Sequence, residues 1–278
     1  MKRTYLAMAV SATIVTGMGA LSGCIDGSSS DGDNGVTDGG IRGTGSSVGP
    51  VARFGSVFVN GTRFETGALN GRVESDDGVD REDDLEKGMI LRVEGQWRTN
   101  GQGTAERLDY DDTLRGSVSD VSNIDEFAGT AELTVLEQTV LIDGQTVLRG
   151  TTLAGIAGLQ GEVVRVSGWR LSDGRFRASF VGSVANGSDD DVELEGVIES
   201  GSLDREARTF RINGVTVEYN GQTEFDDLSE SDLEQGLAVE VEGPYSGSVL
   251  TAREIEPESA ERFRRGDDDD LELVGPVT

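Results

Sequence analysis

Apolar and polar residues alternate with a period of two along most of this chain, and three stretches carry the same alternation between glycines: residues 85–97, 159–169 and 233–245. Aligned on those glycines, Leu91 and Val93, Val164 and Val166, and Val239 and Val241 fall on one side of the pattern. Arg92 and Glu94, Arg165 and Ser167, and Glu240 and Glu242 fall on the other. A period of two predicts a half-buried β-strand, with one face on a core and the other in water. Each copy follows Gly88, Gly161 or Gly236 and runs into Gly95, Gly168 or Gly243, with Trp97, Trp169 or Tyr245 just beyond.

The flanking segments repeat as well. Residues 54–65 alternate around Asn60-Gly61, and residues 210–219 around Asn213-Gly214. That pair tolerates the positive φ angles of a type I′ hairpin. In the middle copy Leu136 and Glu137 stand in its place, which predicts a turn of another type or length. Opening strands at 114–118 and 194–198 and closing strands at 104–110, 175–181 and 250–256 complete the units. Each then runs strand, hairpin, loop, strand, strand. Ser229, the acids after it and Gly236 predict a short helix over 229–235.

Five strands with a helix between the third and fourth is the order of the oligonucleotide/oligosaccharide-binding (OB) barrel. The expected fold is therefore all-β: three tandem small OB-like five-stranded β-barrel units, with a short helix in at least the third. The alternative is three sheets side by side that exchange strands. The units are placed at 50–112, 113–184 and 193–257. An acidic linker at 258–270 and a terminal strand at 271–278 follow. That strand resembles residues 191–198, so it either completes another barrel's edge or opens a further unit.

The first 24 residues predict a lipoprotein signal peptide. Lys2 and Arg3 precede an apolar run that ends in Leu21, Ser22, Gly23 and Cys24. This resembles the bacterial lipobox, in which the cysteine is acylated and becomes the new N-terminus. Ile25 after it leans towards the outer rather than the inner membrane. Residues 25–49 are mostly Gly, Ser and Asp and read as a flexible tether.

Composition narrows the chemistry. Hydrophobic residues are 35% and aromatics 5%, lean for one large core and better suited to several small ones. The formal charge is −28, and only Lys2 and Lys87 are lysine. That balance speaks against nucleic acid, which needs clustered cations. The chain has no histidine, so the usual base near neutral pH is missing. Its single cysteine leaves neither a disulfide nor a thiolate zinc site.

The glycine and hairpin pattern of residues 49–66, followed by the strand between Gly88 and Gly95, resembles a bacterial family numbered as domain of unknown function 5666. The likeness extends over residues 49–257 and is best in the first and third units. It implies tandem β-rich units in an exported protein or lipoprotein, and it supplies no activity, cofactor or catalytic residue.

Candidate sites are therefore read from the residues. Asp76, Asp77, Asp80, Glu82, Asp83 and Asp84 offer carboxylates for calcium, although their spacing is not that of an EF-hand loop and favours a solvated acidic loop. Trp97, Trp169 and Tyr245 are candidates for stacking on sugar rings, or else cover the ends of their own units. Paired carboxylates for glycosidic chemistry are expected by chance among 52 acidic residues, so no catalytic residue is assigned and no cofactor beyond calcium. The expected protein is a non-enzymatic, lipid-anchored module of the cell envelope that binds or scaffolds an envelope protein or glycan. The alternatives are a calcium- or salt-stabilised structural protein and a carbohydrate-binding or carbohydrate-active one.

Overall fold

The period-two stretches do form strands, and their partners follow one scheme. The computed structural model describes residues 42–257 except 54, 55 and 172. In the first unit β1 (Arg42–Pro50), β2 (Val57–Val59), β3 (Thr62–Glu65), β4 (Ile90–Arg98) and β5 (Gln102–Asp109) pair in the order β1-β4-β5-β3-β2. Strands β3 and β5 are parallel and the other pairs antiparallel.

The second unit holds β6 (Leu114–Asp125), β7 (Thr130–Val135), β8 (Gln138–Ile142), the short β9 (Val147–Arg149), β10 (Val163–Arg170) and β11 (Phe176–Ser183). Its order is β6-β7-β8-β11-β10, and β10 pairs back onto β6, which closes a small five-stranded barrel. Here β11 runs parallel to both β8 and β9.

The third unit comprises β12 (Val192–Val197), β13 (Thr209–Ile212), β14 (Val215–Glu218), β15 (Glu224–Phe225), β16 (Ala238–Gly243), β17 (Tyr245–Ser246), β18 (Val249–Thr251) and β19 (Glu254–Pro257). Its closing strand is split. The first half, β18, lies parallel to β14, and the second, β19, antiparallel to β16. A bridge between Ile198 and Ile212 links the end of β12 to β13. Pairing of β12 with β6 joins the second and third units into one continuous sheet.

Two apolar clusters lie beneath these sheets. One fills the first unit around Phe64, Leu91, Val93 and Leu108, and it takes in Phe180 from β11. The other runs through the second and third units without a break, from Leu133 and Phe176 to Phe210 and Val241. As the alternation predicts, the Leu and Val positions of all three repeated strands are buried.

The repeated glycines mark backbone that no other residue fits well. Gly88, Gly161 and Gly236 have φ of 88°, 83° and 87°, the left-handed region that side chains disfavour. Gly95 and Gly243, at φ of 157° and 153°, lie where the strand meets its closing partner. A Cβ there would overlap the carbonyl oxygens of Thr104 and Thr251, and at Gly168 it would lie 2.7 Å from that of Arg177. Register shifts at Gly95 and Gly168 show the bend as a bulge.

Four expectations need correcting. Residues 42–49, read as the end of the tether, form β1 together with Pro50, with Val48 and Gly49 opposite Arg92 and Leu91. Small side chains make little core but leave a backbone free to complete a ladder. The turn at Leu136 and Glu137 has φ of 47° and 62°, the same kind as at Asn60-Gly61 and Asn213-Gly214. Leu136 is buried against Gly116, and Glu137 accepts hydrogen bonds from the Ser248 hydroxyl at 2.5 Å and Tyr245 at 3.3 Å. Those contacts offset the about 1–2 kcal/mol that each left-handed residue costs. The helix of the third unit is a single 3₁₀ turn, Glu230–Asp232, where Asp232 accepts from both the N–H and the hydroxyl of Ser229. Finally, the polar side of the repeated strands was expected in water, yet Arg92, Ser167 and Glu240 are buried because neighbouring segments cover them.

Replacing Gly243 with Ala is expected to cost about 2–3 kcal/mol, from backbone strain and overlap. Gly236→Ala, which meets open space, is expected to cost nearer 1 kcal/mol. Urea unfolding of both variants checks the order; equal losses would contradict the role assigned to the closing strand.

Candidate functional site

The covered polar face centres on Arg115 of β6, which is 5% exposed. One of its terminal nitrogens pairs with Asp77 of the first unit, with Asp112 at 3.3 Å and with Glu193 of β12 at 3.3 Å. The other reaches Glu242 of β16 at 2.7 Å, and the Nε donates to the Asp191 carbonyl at 3.1 Å. The second Asp77 oxygen accepts the backbone N–H of Asp112 at 2.5 Å. Arg165 of β10 adds a second cation, 3.4 Å from Asp112, and donates to the Asp77 carbonyl at 2.8 Å. The Tyr110 hydroxyl donates to Asp112 at 2.5 Å.

The electrostatics follow from burial. Asp112 is pushed up to about 8 by the loss of water and then by the charge of Asp77, against the pull of Arg165 and Arg115. Glu242 is pushed up to about 7, again chiefly by burial. Glu193 is raised well above the usual carboxylate range by burial and by Asp77 and Glu240. Burial alone would lower the Arg115 guanidinium, but Glu193, Asp77, Asp112 and Glu242 outweigh it, so Arg115 stays charged.

A second feature is a cleft of about 680 Å³ where the first unit rests on the second. Its walls include Val51, Asn60, Lys87, Asp143, Trp169 and Arg177. Arg177 donates to Asp143 at 2.8 Å and to Gln145 at 3.2 Å. The Arg149–Glu86 pair at 3.0 Å lies between the same two units. The cleft thus combines an indole, a few apolar side chains and a fixed set of donors and acceptors.

The structure distributes the sequence candidates unevenly. Trp97 packs edge-on against Phe64 at 5.9 Å between ring centres, beside a shallower hollow of about 260 Å³. Trp169 lines the inter-unit cleft, and Tyr245 donates to Glu137 of the second unit. Three equivalent aromatics therefore meet three different surroundings. Of the calcium candidates, Asp76 and Asp77 converge with Asp111. Asp80, Asp83 and Asp84 point into solvent, and Glu82 accepts the Thr66 hydroxyl at 2.7 Å. The acidic loop is not a self-contained site: Asp77 is buried and Glu82 half-buried, while Asp76, Asp80, Asp83 and Asp84 are exposed. Leu21, Ser22, Gly23 and Cys24 lie outside the described residues, as do the acidic linker and the terminal strand.

Arg115, Asp112, Glu193 and Glu242 were not singled out from sequence. A signal was present in the Glu-x-Glu pairs at 193/195, 240/242 and 254/256. Each of these falls on a strand of the third unit.

Residues 115–182 and 195–256 each match the family model of a domain of unknown function, DUF5666. This chain carries two tandem DUF5666 segments. The two matched segments span most of the second and third units, so one DUF5666 domain corresponds to one strand-hairpin-strand-strand unit. The match does not include the first unit, although the sequence pattern of residues 49–66 leads one to expect it there. No curated protein matches the DUF5666 chain.

Arg115→Met removes the cation that faces four carboxylates and is expected to destabilise the protein by about 3–5 kcal/mol. Pairing it with Glu193→Gln should recover part of that loss. Guanidinium unfolding of the single and double variants checks this, and a neutral single variant would refute the linchpin role.

Proposed function

We propose that this DUF5666 protein is a non-enzymatic binding module of the cell envelope, built from three tandem OB-like units and held to a membrane by a lipid on Cys24. The shared strand order supports the OB-like reading: in every unit the third strand runs parallel to the fifth, and the fourth lies between first and fifth. The lipobox supports the anchor, with the outer membrane as its setting.

The observation that carries the binding reading is the cleft between the first two units. An indole beside apolar walls suits the face of a sugar ring, while Asp143, Arg177 and Asn60 suit its hydroxyls. We therefore favour an envelope glycan over a protein as the ligand. A glycosidase reading gains little support from Asp77, Glu193 and Glu242, one of the carboxylate clusters, since all three face Arg115.

Calorimetric titration of the full chain with envelope oligosaccharides tests the ligand. Trp169→Ala is expected to weaken binding at least about tenfold, the scale of one lost aromatic contact, with Trp97→Ala close to wild type. Equal affinity of wild type and Trp169→Ala, or no oligosaccharide binding at all, would overturn the cleft assignment. The anchor has its own test. Cys24→Ala should abolish incorporation of labelled fatty acid and move the protein from the membrane to the soluble fraction. Retention on membranes without label would refute lipid anchoring.

A further inference from the structure

The charge of the inter-unit cleft runs against that of the chain. The formal charge of the whole is −28, yet the charged residues on the cleft wall are Lys87, Arg177 and a single acid, Asp143. Arg177 is paired with Asp143 at 2.8 Å, and Glu86, next to Lys87 in the chain, is paired with Arg149 at 3.0 Å. Lys87 is the charge left uncancelled: among the described residues its ammonium takes part in no ion pair or hydrogen bond. In about 0.15 M salt the field of an exposed charge fades over about 8 Å. A ligand seated in the cleft therefore senses the charges of its wall and not those of the remote acidic surface.

The backbone fixes where Lys87 stands. Gly88, at φ of 88°, donates its N–H to the Val51 carbonyl at 2.9 Å, and a Cβ on it would overlap the Ser179 carbonyl of β11. The turn of the first unit is thus pressed onto the second, and Lys87 shares a cleft with Trp169 and Arg177. The other repeats supply the contrast. Gln160 and Gln235 occupy the equivalent positions, and each bonds back to its own unit. Gln160 donates to the Ser119 carbonyl at 3.3 Å, and Gln235 accepts the Gly201 N–H at 2.9 Å. The copy that faces the cleft is the one that carries a charge.

We propose that the glycan held in this cleft is acidic, with a hexuronic acid as the sugar seated there, and that Lys87 is the residue that selects it. The inference rests on the glycan reading of the cleft. A uronic acid has an apolar ring face for the Trp169 indole and a carboxylate at the ring edge for an ammonium. Two cations and one acid leave the wall a single positive charge, which matches one carboxylate. A phosphate calls for more: it is most often recognised through the planar fork of an arginine, and Arg177 is already engaged by Asp143 and Gln145. Lysine offers a compact point charge on a flexible stem, which suits one carboxylate at the edge of a ring.

The test titrates the full chain in detergent with a galacturonic acid trisaccharide, with its methyl ester and with glucose phosphate, by calorimetry. The ester keeps the shape of the sugar and removes its charge. The acid is expected to bind at least about fivefold more tightly than the ester, the scale of one partly screened ion pair. Lys87→Gln, which installs the residue of the other two units, should erase the difference between acid and ester, and Lys87→Arg should restore most of it. Lys87 is exposed, so both variants should unfold with wild-type Tm, which separates loss of charge from loss of fold. If acid and ester bind equally and both depend on Trp169, the glycan reading stands and the acidic-sugar proposal falls. Tighter binding of glucose phosphate than of the acid, or an acid preference that survives in Lys87→Gln, would overturn it as well. If neither these sugars nor neutral oligosaccharides bind, the cleft assignment fails and takes the proposal with it.

Discussion

A single buried guanidinium holds three parts of this chain in register. Arg115 sits where β6 pairs with β12, opposite Glu193, so the hydrogen bonds that join the second and third units pass through the residue that also gathers their charges. Asp77 reaches it from the first unit and Glu242 from β16. Burying ions takes back much of what their attraction gives, so such a cluster adds little net stability compared with an apolar core. Its effect is on uniqueness. A shifted register or a misplaced first unit would leave at least one carboxylate buried without its partner.

The apolar interior does not impose that arrangement. The second and third units share one continuous core and the first is largely separate, linked chiefly by Phe180. Similar units could pack on one another in several ways at comparable hydrophobic gain. Two polar contacts narrow the choice: the Leu136–Glu137 turn docked on Ser248 and Tyr245, and the Asp77 loop docked on Arg115. Both use positions where the second repeat departs from the third, a left-handed Leu136 and Glu137 in place of Asn213 and Gly214, and Arg115 and Arg165 in place of Glu195 and Glu240. Divergence between repeats is what lets each unit recognise its own neighbour.

Two surfaces result from this packing, and their characters differ. The cleft beside Trp169 is open, mixed in polarity and suited to a ligand that comes and goes. The cluster around Arg115 is closed and strongly charged, and it fixes how the units sit on one another. Neither belongs to one repeat alone. On the proposed reading, binding in a chain of similar small units resides in a seam, and the repeated motifs themselves point to no chemistry.

Much of the fold was legible because it is local. Alternation marked the buried positions of the repeated strands, Asn-Gly marked two hairpin turns, and glycines marked the backbone that needs positive φ or the close approach of a partner strand. The candidate site was far less legible. Asp77 and Trp169 could be named as residue types, but Arg115, Glu193 and Glu240 looked like the wet side of ordinary strands. By itself the sequence determined which residues form strands and which side of each strand is apolar, since both depend on neighbours one or two positions away. Only the tertiary structure decided what covers the polar side, because a period of two reads the same whether that side meets water or a charged neighbour from another unit.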